Sequence, residues 1–464
     1  MDSFASMPVM SLPVIVLIWL IVMRAMELRN VIPFSSQNDL LIYGANSRQF
    51  SPRNRVVFFS PDIHDGTRRD LALSLYNLNQ SIILSSKKCD LPKYSIVHSM
   101  RRNDSELTKP VFPSMFITNE TMCSKMDYRR YNNIQAEKVF NMMKDYSKIS
   151  FVDAFICAFY PPECLNYVTT NKTVVFLPAH RFLLKLCNPY HISTALYWMF
   201  HSGLPNIRVI AMGRYDKEYI NYFTGVDVPF LYPSSLYEYT PPMRRTVFFD
   251  EILVAPFKGR WARDYAAQLN DIALQKGINI TFMTAGQKLR RPFTYNDLNR
   301  FKAVVVFPYA VLSYYLCDIT TAGIPTVFPS RTYLSTHTVL VDYRNQDYSY
   351  CNGRAEMPRK HPKSRHPFSP EDNSTEARFY WTQFAYFFTP CTTTFDSLED
   401  IPRIVQNMNY EQLYRCNLQY NEVMKVHNRR VWSSLIDSID HRQMANEFDA
   451  VLKTVNRTAV YDTP

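Results

Sequence analysis

The chain has 464 residues and only ten glycines, where an average composition would give roughly 32. With 47% hydrophobic residues, 29 prolines and a net charge of +11, it is neither a collagen-like chain, nor a Gly-rich linker, nor a disordered chain. No G-x-G-x-x-G and no G-x-x-x-x-G-K-[ST] occurs, so the usual dinucleotide and P-loop fingerprints are excluded.

The positive charge is spread thinly, apart from one loop carrying Arg354, Arg359, Lys360, Lys363 and Arg365 against Glu356. A nucleic-acid-binding stripe would cluster basic and aromatic residues on one face, so no nucleic-acid partner is expected. The balance suits an enzyme acting on phosphorylated or acidic substrates. Nine cysteines show no C-x-x-C and no zinc spacing. Buried thiols and disulfides both remain open, with Cys351 and Cys391 as one possible pair.

In chain order, residues 1–8 form a short tail without Lys or Arg. Val9–Met23 is almost wholly apolar, and the stretch 9–26 is expected to be a signal anchor. Cleavage of the segment as a signal peptide, giving a secreted protein, is the alternative. Seven N-x-[ST] sequons, at Asn79, Asn103, Asn119, Asn171, Asn279, Asn373 and Asn456, favour a lumenal body. The expected location is the Golgi or endoplasmic reticulum membrane, single-pass and type II. Residues 27–54 read as a stem.

The first globular part spans 55–238. Arg55–Ser60 is predicted as a strand and Arg69–Asn79 as a helix; Ser81–Ser85 is the next strand, so the unit is β-α-β and the sheet parallel. Ala136–Ser147 reads as helix. Phe151–Phe159 and Thr173–Leu177 read as strands. Ile192–His201 is a helix, Asn206–Ala211 a strand, Asp216–Phe223 a helix ended by Gly225, and Pro229–Tyr232 a last strand. The stretch Pro233–Pro242 is turn-rich and marks a domain boundary near 239.

A second α/β series spans 239–405. Glu251–Ala255 is predicted as a strand, Ala262–Lys276 as a helix capped by Gly277, and Ile278–Met283 as a strand left through Gly286. Tyr295–Phe301 is a short helix, Ala303–Phe307 a strand, Leu312–Ala322 a helix closed by Gly323, and Pro325–Phe328 a strand. Residues 331–375 read as an irregular basic insertion, either an active-site flap or a family-specific insertion. Closing helices occupy 406–464, with Trp432 and Leu435 on an apolar face.

Two consecutive α/β series, a Pro-rich hinge and a helical tail resemble the GT-B architecture: two Rossmann-like parallel-sheet domains facing a cleft. The best local match is Ser313-Tyr-Tyr-Leu-Cys-Asp318-Ile-Thr-Thr-Ala-Gly323-Ile-Pro325. It is similar to the donor-site pattern of nucleotide-sugar-dependent glycosyltransferases, in which a carboxylate precedes G-x-P by five residues. The family usually has Glu where this chain has Asp318.

The resemblance implies a glycosyltransferase that takes a UDP- or GDP-linked sugar as substrate and a glycan or glycoprotein as acceptor, with no cofactor. Asp318 would accept hydrogen bonds from the ribose hydroxyls. The helix start near Ser313 would present N–H groups to the diphosphate, and Lys258 and Arg260 would neutralise it. Tyr314 would stack on a base or sugar, core packing being the alternative for it. Gly323 closes the pattern.

On the acceptor side, Asp62, His64 and Asp65 crowd the exit of the first strand. A neutral His64 held by a neighbouring carboxylate suits a general base. Thr67-Arg-Arg-Asp70 also fits a capping box, which needs no catalytic role. Glu163, His180 and Arg181 follow predicted strands and are further acceptor-side candidates. No D-x-D motif occurs, which agrees with a metal-independent mechanism. A nucleotide-sugar epimerase of the same fold and a catalytically degenerate glycan-binding protein are the alternatives.

Overall fold

The computed structural model describes residues 56–60, 70–71, 74–75, 78, 80–84, 152–158, 167, 172–178, 206–233, 249–255, 260–289, 295–308, 314–337, 360–370, 372 and 374–439. The expected tail, anchor, stem and domain boundary lie outside these residues.

The first sheet holds β1 (Val57–Ser60), β2 (Ser81–Leu84), β3 (Ala154–Cys157), β4 (Thr173–Phe176) and β5 (Ile207–Val209), in the order β2-β1-β3-β4-β5. All four pairings are parallel. Every residue of β3 and β4 is buried, as parallel strands covered on both faces require. Beyond β5 the chain stays extended through Ile210 into β6 (Ala211–Met212), which leaves β4 and pairs in parallel with β7 (Phe230–Leu231). Between β6 and β7 runs α1 (Arg214–Thr224), ended by Gly225 at φ 69°.

The second sheet repeats the plan. It holds β8 (Ile252–Ala255), β9 (Phe282–Met283), β10 (Val304–Val306), β11 (Thr326–Pro329) and β12 (Thr393–Phe395), in the order β12-β11-β10-β8-β9, all parallel. Counted from the first strand of each half, both sheets therefore run 2-1-3-4-5. The helices are α2 (Arg260–Gln275), α3 (Ala285–Lys288), α4 (Tyr295–Leu298), α5 (Tyr314–Thr321), α6 (Arg331–Thr336), α7 (Thr375–Thr382), α8 (Ile401–Asn407) and α9 (Tyr410–Asp437).

Several local expectations change. The strand expected over 278–283 shrinks to β9. Gly277 turns at φ 64°, and the Ile280 amide then donates to the Ile278 carbonyl, so the first residues after the turn fold back locally. Asn270 of α2 takes both main-chain groups of Phe282: Oδ1 accepts from its N–H at 2.7 Å and Nδ2 donates to its carbonyl at 2.9 Å. Gly286 is not a strand exit. It lies inside α3, which Thr284 and Gln287 start with a reciprocal capping box. The stretch from Arg331 is not irregular at its start, because Ser330 caps α6 by accepting from the Tyr333 amide at 3.0 Å. β12 carries no strong pattern of its own.

Cys391 pairs with Cys416, 25 residues away, rather than with Cys351. The bond ties the approach to β12 to α9. Cys157 is also disulfide-bonded, while Cys317 is a buried free thiol.

One apolar cluster runs from β3 and β4 to β8, β10 and β11, so both sheets share a continuous core. A second covers another face of the first sheet, where Trp432, Leu435 and Ile436 of α9 pack with Phe58, Ala154 and Val175. Each such large side chain contributes about 1.5–3 kcal/mol on burial. The other end of α9 sits on the second half. Asn417 donates to the carbonyls of Gly323 and Ile324, and Asn421 to those of Thr320 and Thr321, so two asparagines close the C-terminus of α5.

Candidate functional site

In an open parallel sheet, ligands sit at the carboxyl ends of the strands where the order reverses. With order 2-1-3-4-5 that point lies between the first and third strands of each half. In the second half these are β8 and β10. Val306 is in register with Ala255, and the Phe307 amide donates to the Ala255 carbonyl at 3.1 Å, so the two strands end side by side. The helices that follow them, α2 from Arg260 and α5 from Tyr314, both start from this edge. The sequence candidates Arg260, Tyr314 and Asp318 thus belong to the switch point of the second sheet. Lys258 and Ser313 belong to the same two connections but lie outside the described residues.

In the first half the switch point lies between β1 and β3, with Phe58 opposite Ala154. Asp62, His64 and Asp65 follow β1 directly in sequence; with Glu163, His180 and Arg181 they lie outside the described residues. The helical stretch that follows is seen at Asp70, Leu71 and Leu75, all buried.

The helical stretches that follow β1 and β10 meet. Cys317 of α5 belongs to the apolar cluster that contains Leu71 and Leu75. Burial pushes the Cys317 thiol well above its ordinary range, and the charges of Asp318 and Asp70 push the same way; a hydrogen bond with Tyr386 opposes them. Asp70 belongs to the first half and Asp318 to the second. Both carboxylates therefore act on one thiol at the junction between halves. Asp318 is 2% exposed, so it belongs to the interior of the junction and not to an open wall.

Gly323 stands at φ 79°, and a Cβ there would come within 2.7 Å of the Tyr414 ring. The close approach that demands glycine is made by α9. Among the described residues, no cluster of His, Cys, Asp and Glu is placed to hold a metal ion, and no helix is long and apolar enough to cross a membrane.

Two features escaped sequence reasoning. Asp70 shows in the sequence only as the end of a capping box, and nothing local pairs it with Cys317. A polar cluster also joins Glu218 of α1 to Arg365 and His366. The His366 Nε2 lies 3.0 Å from Glu218 Oε2, and its Nδ1 lies 2.8 Å from the Tyr380 hydroxyl. These partners stand 148 and 14 residues apart, beyond any motif window.

No protein-family profile matches the chain, and no curated protein matches it. Among solved structures it is similar to the glycosyltransferase from Rickettsia africae ESF-5, with 10% identity, 88% of this chain and 100% of that chain covered, and a TM-score of 0.46. It is also similar to MurG from Acinetobacter baumannii, with 11% identity, 87% and 99% coverage, and a TM-score of 0.34.

Proposed function

We propose that the chain is a glycosyltransferase of the GT-B type, moving a sugar from a nucleoside-diphosphate sugar to an acceptor hydroxyl at the junction between its halves. One observation carries this reading: the switch point of the second sheet, from which α2 and α5 start, adjoins the helical stretch that follows β1 of the first. In this reading the donor-side Lys258, Arg260 and Asp318 face the acceptor-side Asp62, His64 and Asp65 across neighbouring connections.

In this reading the starts of α2 and α5 direct N–H groups and positive dipole ends toward a diphosphate, and Lys258 and Arg260 neutralise it. Asp318 accepts from the ribose, which has to enter the junction to reach it. His64 takes the proton of the acceptor hydroxyl, oriented by Asp62 or Asp65. The chain's own cations and helix ends then do the work that a metal does in other transferases.

Disulfides at Cys391–Cys416 and at Cys157, together with the exposed sequon at Asn279, support an oxidising compartment. A glycan or glycoprotein acceptor met in the secretory pathway, with the body held at the membrane by residues 9–26, fits that compartment.

The test is a screen of UDP- and GDP-sugars with purified protein, following donor binding and slow donor hydrolysis. One donor should bind, and Asp318→Asn and Lys258→Ala should each weaken it by tenfold or more. His64→Ala should abolish transfer and leave donor binding intact. Failure of every donor to bind, or binding indifferent to both donor-side substitutions, would overturn the reading.

A further inference from the structure

The segment 360–370 crosses from one half to the other, and its contacts are of a kind that can let go. Its far end is fixed on the second half. There α7 packs against α6, with Arg331 donating to the Phe379 carbonyl at 2.9 Å and lying 4.2 Å over the Phe379 ring. Trp381 of α7 donates its indole N–H to the Phe368 carbonyl at 3.1 Å.

The near end lies along one face of α1 in the first half. Glu218, Asn221, Tyr222 and Gly225 follow at helical spacing, one above another. The His361 amide donates to the Tyr222 carbonyl at 3.0 Å, and the Arg365 amide to Asn221 Oδ1 at 3.4 Å. The His361 ring occupies the space over Gly225, where a Cβ would sit 2.2 Å from its Nδ1.

Glu218 takes the greatest share. Its Oε2 accepts from Arg365 Nε at 3.1 Å, from Arg365 Nη2 and from His366 Nε2 at 3.0 Å. With the ring proton facing the carboxylate, His366 Nδ1 accepts from the Tyr380 hydroxyl. His366 is 2% exposed and Glu218 6%, so each needs the other to satisfy a buried polar atom. Beneath this polar layer, Tyr215 and Tyr222 of α1 meet Trp381 at ring distances of 5.6 and 6.2 Å. That apolar contact is part of the common core and does not involve the main chain of 360–370.

We propose that residues 360–370 form a releasable strap between the two halves, with Glu218 as the residue that holds it down. The inference stands apart from the enzymatic reading above. Local opening of this kind needs few buried apolar contacts and a polar anchor. On α1 the anchor is the Glu218 carboxylate, with Asp227 Oδ1 also accepting from Arg365 Nη2 at 3.4 Å, and the main chain is pinned there at His361 and Arg365. The segment's ring contacts, His366 against Trp381 and Phe384, lie on the side of the second half.

Hydrogen exchange of the full chain, read by mass spectrometry, tests it. In Glu218→Gln the amides of 360–370 should exchange at least tenfold faster than in the unmodified protein, while β8, β10 and β11 keep their protection. Gly225→Ala, which wedges His361 away from α1 without touching Glu218, should release the His361 end alone. Unchanged exchange of 360–370 in both variants would overturn the proposal. Loss of protection in β8 and β10 along with the strap would overturn it too, because the segment would then be part of the core and not separately releasable.

Discussion

Asn428 holds Tyr232 by both of its main-chain groups. The Tyr232 N–H donates to Asn428 Oδ1 at 2.7 Å, and Asn428 Nδ2 donates to the Tyr232 carbonyl at 2.8 Å. A side-chain amide thus takes the place of a neighbouring strand just past β7. Asn270 does the same for Phe282 in β9. In both halves a helix asparagine satisfies a strand that would otherwise show unpaired groups.

Asn428→Ala should cost about 1–3 kcal/mol, because it removes one partner and leaves two part-buried main-chain groups unsatisfied. Asn270→Ala should cost a similar amount at the other site. Since the two sites share no partners, the double variant should lose roughly the sum. Denaturant unfolding at constant m-value checks all three.

Two glycines with nearly the same backbone should respond differently to alanine. Gly277 stands at φ 64° with nothing within 4 Å of an added Cβ. Its replacement should cost about 1–2 kcal/mol, the ordinary penalty of a left-handed alanine. Gly323 stands at φ 79°, and the added carbon would meet the Tyr414 ring at 2.7 Å and Leu418 at 3.1 Å. Gly323→Ala should therefore cost more, by about 1–3 kcal/mol of overpacking. Gly323→Ala combined with Tyr414→Leu should recover part of that difference, and thermal unfolding reads it directly. Equal losses at Gly277 and Gly323 would contradict the packing argument.

The disulfide between Cys391 and Cys416 closes a loop of 25 residues, which in the chain-entropy picture stabilises by about 3.5 kcal/mol. Replacing both cysteines by serine should lower the unfolding free energy by about that amount. The loss should appear mainly as faster unfolding if α9 docks after the sheets have formed.

Acid should weaken the hold of Glu218. Burial disfavours its charged form, but hydrogen bonds from His366 and Arg365 outweigh this and hold the carboxyl below its ordinary value of 4.5. A carboxylate lowered on folding contributes stability that is present above the unfolded value and lost as the pH falls through the folded one. Protection of 360–370 should thus be full at pH 5 and above on this account, and fall below pH 4.5. In Glu218→Gln that acid-dependent step should be absent. Measurement of strap protection from pH 7 down to 3 separates the two proteins.

The sequence by itself determined the class of the fold and most of its elements. Runs such as Ile252–Ala255 and Val304–Val306 are apolar throughout, which only strands covered on both faces tolerate, and the helices between them force parallel pairing. Gly225, Gly277 and Gly323 marked helix ends correctly, because a positive φ is a local demand that glycine alone meets cheaply. The candidate site residues follow predicted strand exits, since an exit follows from where an apolar run stops; most of them lie outside the described residues. What tertiary structure alone decided is every relationship across long separations. Cys391 found Cys416 and not Cys351, Asp70 and Asp318 both came to act on Cys317, and Glu218 met Arg365 and His366. Each of these depends on strand order and on how two halves pack. A polar side chain carries no local mark of the partner it will satisfy, whereas an apolar run already carries the period of the element it will form.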